Sequence, residues 1–260
     1  MDRLTVGRNG TARAFVRIGP RSAPRMRLLC VPYAGAGPAV FRSFSPSLPA
    51  GVEVWAVRLP ARESRLTEPP VADLPTVVAA LVEEFADTDP FGDPPLPYAL
   101  FGHSMGGLVC FELAHAMRRH GLPTPAHLFV SARRAPRIHD DQAGIHRLPS
   151  DQFLAEVTKL GGIPAEVLAE PGLIDLIMPA LRADFAICHT YRYAADAPLS
   201  CGISVFGGRS DPTTTTEQLA AWRAETAGPF AMNLYPGGHF FLHQNQQDLL
   251  AEVSRVLDGR

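Results

Sequence analysis

Neither sign of charge dominates this chain. Its 24 basic and 26 acidic side chains leave a formal charge of -2 over 260 residues, which excludes the broad positive field that a nucleic-acid footprint needs. Long apolar runs are absent too. No stretch approaches the roughly 18 consecutive apolar residues of a membrane span, and the opening Met1-Asp2-Arg3-Leu4 lacks the apolar core of a signal peptide. A cytoplasmic protein with no membrane and no nucleic-acid partner is expected. Cysteine is scarce: Cys30, Cys110, Cys188 and Cys201 are far apart and form no CxxC pair or metal-ligand spacing. Buried reduced thiols are therefore expected, rather than a disulfide framework or a metal centre. Repeats and low-complexity segments are missing as well.

What remains is a chain that is 46% hydrophobic, long enough for one large core and an insertion. Short apolar runs read as buried strands at Arg27–Val31, Val52–Val57, Tyr98–Phe101, His127–Val130, Ile203–Phe206 and Ala231–Tyr235. Alternating with helical patterns such as Leu74–Phe85 and Leu108–Met117, they predict a mostly parallel sheet with helices on both faces. Ala12–Ile18 alternates in the manner of an antiparallel edge strand, Thr214 with Glu217 suggests a capping box, and Gln246–Leu257 suits a final helix. After Val130 the next strand begins only at Ile203. Two helical patterns fill the gap, Ser150–Leu160 and Gly172–His189, separated by Gly161-Gly162-Ile163-Pro164. A gap of that length predicts a helical subdomain over residues 135–195, between body segments 1–134 and 196–260. Leaving the sheet's carboxyl edge, it would lie over the site as a lid, with Gly161-Gly162 as a hinge and a kink at Pro179.

The chemistry is concentrated in Gly102-His103-Ser104-Met105-Gly106, a GxSxG motif between the strand ending at Phe101 and the helix to Met117. A strand–turn–helix context is what a nucleophile elbow requires. The glycines allow the sharp reversal, and Ser104 stands exposed at the positive end of the helix. A chance strand–Gly–Ser–Gly–helix junction is the competing reading. A serine hydroxyl needs a base. Of nine histidines, His239 follows Pro236-Gly237-Gly238 just past the last strand, where a glycine-flanked ring can swing over the serine. His243 is the fallback. The imidazole needs an acceptor, and Asp211 lies in the loop after the penultimate strand. Asp211 also suits a helix cap before Pro212. Asp184 and Asp196 are weaker candidates, since neither follows a strand. The order Ser104, Asp211, His239 is that of α/β-hydrolases. Two backbone N–H groups should hold the oxyanion: that of Met105 and one from the small-residue loop Pro32–Pro38, assigned to Ala34. The composition and spacing alone stop at a serine acyl hydrolase with a helical lid. An esterase, an acyltransferase or a non-catalytic scaffold on the same fold stays open.

The chain resembles the type II thioesterases of polyketide and nonribosomal peptide synthases. The likeness runs from about Leu28 to Leu250 through VPYAGAG (31–37), RLPARESR (58–65), FGHSMGG (101–107), VSARRAP (130–136), LGGIP (160–164), LRADF (181–185), YRY (191–193), FGGRSDP (206–212) and GGHFFL (237–242). It departs where a glycine is expected at position 61 and Ala61 stands. The resemblance implies an editing hydrolase that clears wrong or stalled acyl groups from the phosphopantetheine arms of acyl or peptidyl carrier proteins. It also implies the triad Ser104, Asp211 and His239, and no bound cofactor or metal; a monomer is expected. Because carrier proteins are acidic, Arg133, Arg134 and Arg137, just after the strand at Val130, are expected to dock the carrier or the arm's phosphate, with a solvated basic turn as the competing reading.

Overall fold

β-branched and aromatic runs bounded by Pro and Gly have two apolar faces to cover, and amphipathic helices cover them. The computed structural model describes residues 14–20, 23–88, 96–139, 144–163 and 165–259. Seven strands form one sheet: β1 (Phe15–Ile18), β2 (Met26–Val31), β3 (Val52–Val57), β4 (Tyr98–His103), β5 (His127–Ser131), β6 (Gly202–Gly208) and β7 (Phe230–Tyr235). Their order across the sheet is β1-β3-β2-β4-β5-β6-β7. Only β1 is antiparallel, with Phe15 opposite Val57 at one edge. Residues 12 and 13 of the expected edge strand lie outside the described residues, as does Pro164.

The helices are α1 (Phe44–Ser47), α2 (Leu74–Thr88), α3 (Met105–Arg119), α4 (Ser150–Lys159), α5 (Ala165–Leu168) and α6 (Pro171–Thr190). They continue with α7 (Thr216–Ala220), α8 (Phe241–Gln244) and α9 (Gln246–Leu257). Successive strand residues point to opposite faces, so each strand feeds two cores. Leu29, Val31, Tyr98, Leu100, Leu128 and Val130 pack with α2 and α3 on one side. Leu28, Cys30, Ala99, Phe101 and Phe129 pack with α1 and α9 on the other. This is the doubly covered, mostly parallel α/β-hydrolase sheet.

Helices α4 and α6, between β5 and β6, meet in a small core in which Phe153 and Val157 pack with Leu181. Arg182 on α6 braces them, donating to His146 O at 2.6 Å and Leu148 O at 2.7 Å. Helix α6 runs without a break through Pro179. Ala135, Ile138, Tyr191 and Tyr193, at the ends of the stretch, pack against the core beneath the sheet. The capping box falls one residue later than expected: Thr215 caps α7 with Gln218 as its reciprocal partner. Thr214 is diverted elsewhere, for its hydroxyl donates to Asp211 Oδ2 at 3.1 Å. No disulfide joins the four cysteines, and Cys30 and Cys110 are buried. Burial pushes the thiol of Cys201 up to about 11. Cys188 and Cys201 depart from the expectation, both being half-buried, and Cys188 faces the cleft described below.

Candidate active site

Strand β4 ends at the centre of the sheet, and the chain must reverse there to enter α3. Ser104 makes the turn in a left-handed conformation, with φ 54° and ψ -116°. A side chain at Gly102 would put its Cβ 2.2 Å from Gly106 C and O, and one at Gly106 would lie 2.0 Å from Val31 O. Both glycines are therefore required by backbone packed on backbone. The turn is pinned by Ser104 N–H donating to Ser131 O at 2.7 Å.

Two further loops bring partners to the serine. His239 Nε2 is 2.9 Å from Ser104 Oγ, and His239 Nδ1 is 2.9 Å from Asp211 Oδ2. The loops carrying Asp211 and His239 touch so closely that a Cβ at Gly208 would fall 2.2 Å from Gly238 O. Asp211 Oδ1 accepts from the Thr213 N–H at 2.8 Å and the Thr213 hydroxyl at 2.7 Å. Burial pushes the Asp211 carboxyl up, but the hydrogen bond and charge of His239 and the two bonds from Thr213 outweigh it, and the net shift is down. The carboxylate thus stays ionised at neutral pH and fixes the imidazole with Nδ1–H toward Asp211 and the Nε2 lone pair toward the serine. A depressed carboxyl contributes stability above its unfolded value, about pH 4, and that contribution is lost as pH falls through the folded value. His243, the fallback base, sits in α8 with its ring beside Phe240 and Tyr33.

Met105 occupies the first position of α3, where the N–H has no acceptor within the helix. Ala34 lines the same cleft as Ser104 and His239, at the head of a tight turn in which Ala36 N–H donates to Tyr33 O at 3.0 Å. Opposite them the cleft is walled by Val157, Leu160 and Ile163 from around α4, and by Leu181, Phe185 and Cys188 from α6. The arrangement can deprotonate a hydroxyl and hold an acyl group against an apolar wall.

The three arginines differ in placement: Arg133 and Arg134 line the cleft that holds Ser104, whereas Arg137 is exposed. Arg133 and Arg134 are 9% and 8% exposed. Arg134 donates to Thr213 O at 2.9 Å, tying the Asp211 loop to the end of β5. Arg137 is bound to the buried Glu225, whose Oε1 accepts from Nε at 2.6 Å. The cause of the burial is local: Ala132 takes a left-handed φ of 51°, and Arg133 C=O is captured by Trp222 Nε1–H at 2.7 Å, which together turn Arg133 and Arg134 inward. Asp196 lies apart, paired with Arg118 and Arg119. The supports that sequence reasoning missed are Thr213 and Thr214 around Asp211, and the pair Arg62 and Asp184. The run of four threonines after Asp211-Pro212 was the available signal for the first.

A model of the thioesterase domain family matches residues 26–257. The chain belongs to that family. The gramicidin S biosynthesis protein GrsT of Aneurinibacillus migulanus is 40% identical over 94% of this chain and 93% of its own. Among solved structures, the RedJ thioesterase of the prodiginine pathway of Streptomyces coelicolor is 36% identical over 89% of this chain and 90% of its own, with a TM-score of 0.83. The type II thioesterase BorB from the borrelidin cluster is 30% identical over 93% of this chain and 96% of its own, with a TM-score of 0.80. This thioesterase is a hydrolase of thioesters, of the type II kind. Among the described residues no helix is long and apolar enough to cross a membrane.

Thr213 offers a direct check on the hydrogen-bond chain. Thr213→Val removes the hydroxyl bond to Asp211 while keeping the backbone one. Since hydrogen bonds to charged groups are worth about 1.5–3 kcal/mol in total and only part of that is specific to the transition state, kcat should fall about five- to tenfold. Steady-state rates at a saturating thioester measure it, and carbon-13 NMR should show the Asp211 carboxyl protonating at a higher pH than in wild type, because its ionised form has lost a donor.

Proposed function

We propose that this thioesterase edits a biosynthetic assembly line, hydrolysing wrong or stalled acyl groups from the phosphopantetheine arms of acyl or peptidyl carrier proteins. The observation that carries the chemistry is the unbroken chain from Asp211 through His239 to the Ser104 hydroxyl, opening on an apolar cleft. In this reading Ser104 Oγ attacks the thioester carbonyl as His239 Nε2 takes its proton. The oxyanion rests on the N–H groups of Ala34 and Met105, each worth about a hundred- to thousandfold in rate. The C–S bond breaks and the thiol departs, carrying the proton from His239. Water then attacks the acyl-serine, giving up a proton to His239, and the carboxylic acid leaves as Ser104 is restored. The apolar wall suits a carbon chain of no single identity, as clearing mixed errors demands. We read residues 135–195 as the lid of this chamber, and the enzyme as a monomer without cofactor.

A panel of acyl-carrier thioesters of short and long chains tests the proposal. The expected products are free acid and free arm thiol in equal amounts, across several chain lengths. An ester or amide formed when alcohols or amines are supplied would reassign the enzyme to acyl transfer. Hydrolysis confined to one long, fully elaborated chain would reassign it to product release.

A further inference from the structure

The loop bearing Ala34 is held from the lid side. Asp184, on α6, is 1% exposed. Its Oδ2 accepts from Gly35 N–H at 2.7 Å and from Arg62 Nη1 at 2.8 Å, and its Oδ1 accepts from Arg62 Nη2 at 2.9 Å. Arg62 comes from the segment after β3 and also donates to Ala36 O at 2.9 Å. One turn back on α6, Leu181 closes on the same loop: its Cδ1 lies 2.7 Å from where a Gly35 Cβ would be, and Gly35 has φ +78°. The loop after β2, the loop after β3 and the inserted helix thus meet at one buried ion pair.

Such a pair is a weak source of stability, because desolvation offsets most of the attraction. Its position suggests another use. The amide that Asp184 grips follows Ala34 directly, so moving the one rotates the other. A bare carboxylate there would also oppose negative charge growing on a carbonyl oxygen, and the guanidinium cancels that field. We propose that Arg62 and Asp184 are positioning residues: their ion pair fastens α6 to the loop after β2 and thereby aims the Ala34 N–H at the reacting carbonyl. This rests on the assignment of Ala34 as an oxyanion donor. It makes a seated α6 a condition of turnover.

Paired substitutions separate aim from fold. Arg62→Met with Asp184→Leu removes both charges and the acceptor for Gly35 N–H. Arg62→Met with Asp184→Asn removes both charges but keeps an amide oxygen for that bond. The first pair should lose about 30- to 100-fold in kcat, with KM within about threefold. It should lose the same factor in affinity for an acyl trifluoromethyl ketone, whose adduct with Ser104 places an oxyanion in the hole. Affinity for the matching unreactive thioether should not change. The second pair should recover to within about fivefold of wild type. Arg62→Lys, which keeps the charge and loses the fork, gives a milder probe should the first pair not fold; it should lower kcat and ketone affinity together by about fivefold or more. Folded variants with wild-type kcat and ketone affinity would overturn the proposal, as would ketone and thioether affinities falling in step. Ser104→Ala run alongside tells the failures apart. Turnover surviving there sinks the nucleophile and the clamp together, whereas its loss beside an unaffected Met/Leu pair sinks the clamp alone.

Discussion

Ser104→Ala is expected to leave less than about one ten-thousandth of the wild-type kcat. The substitution deletes the oxygen that sits 2.9 Å from His239 Nε2, and with it the only route by which that base makes an acyl-enzyme. The left-handed φ of 54° at this position is unchanged by alanine, so the elbow should keep its shape and the thermal midpoint should shift by no more than about 2 °C. What remains is water attack assisted by the backbone donors. His239→Ala should cost nearly as much, and the double variant hardly more than either, because the two groups act as one unit. Single-turnover quenching of an acyl-carrier thioester, with mass spectrometry of the enzyme, reads rate and acyl adduct together. A Ser104→Ala enzyme within tenfold of wild type would remove the mechanism.

Gly106→Ala should be nearly as damaging for a different reason. Its methyl would lie 2.0 Å from Val31 O and 2.9 Å from Pro32 O, both main-chain atoms at the end of β2. Relief requires the first turn of α3 to retreat, taking Ser104 and the Met105 N–H with it, or the Tyr33–Ala34 loop to move. Either displacement misaligns the site. Overpacking against fixed backbone should cost more than about 3 kcal/mol, hence about 6–12 °C in Tm, and kcat should fall at least about a thousandfold. Gly172→Ala is the matched control: nothing lies within 4 Å of its added Cβ, so both quantities should stay near wild type. Calorimetry and a steady-state assay decide between them, and a functional Gly106→Ala enzyme would contradict the packing described for the elbow.

The sheet was legible because period-two patterns face two cores at once. Leu28 and Leu29 in β2, and Ala99 and Leu100 in β4, divide between opposite faces as the sequence implies. The elbow and the two partner loops were legible because their demands are local: glycine where backbone meets backbone, an acid after β6, a histidine after β7. Arg62 and Asp184 were not. They lie 122 positions apart, and nothing in a helical stretch tells which acid meets a distant arginine. The burial of Arg133 and Arg134 was not legible either, because charge reads as exposure, whereas a left-handed Ala132 and the Trp222 bond to Arg133 O turn these two toward the cleft. Position 61 is instructive in another way. Ala61 adopts φ 62° where glycine was expected, and its N–H donates to Arg65 O at 3.0 Å. The turn that delivers Arg62 survives at some strain.

The backbone contact between Gly208 and Gly238 has a consequence for how such an enzyme diversifies. With acid and base loops interlocked, and Gly106 of the elbow set against the end of β2, the reacting atoms tolerate no insertion among them. Variation is left to the α4–α5 region, which reaches the body through side chains such as Phe240 against Gly162. Transplanting residues 144–170 from a relative should therefore exchange one appetite for acyl chains for another, while the machinery beneath stays as it was.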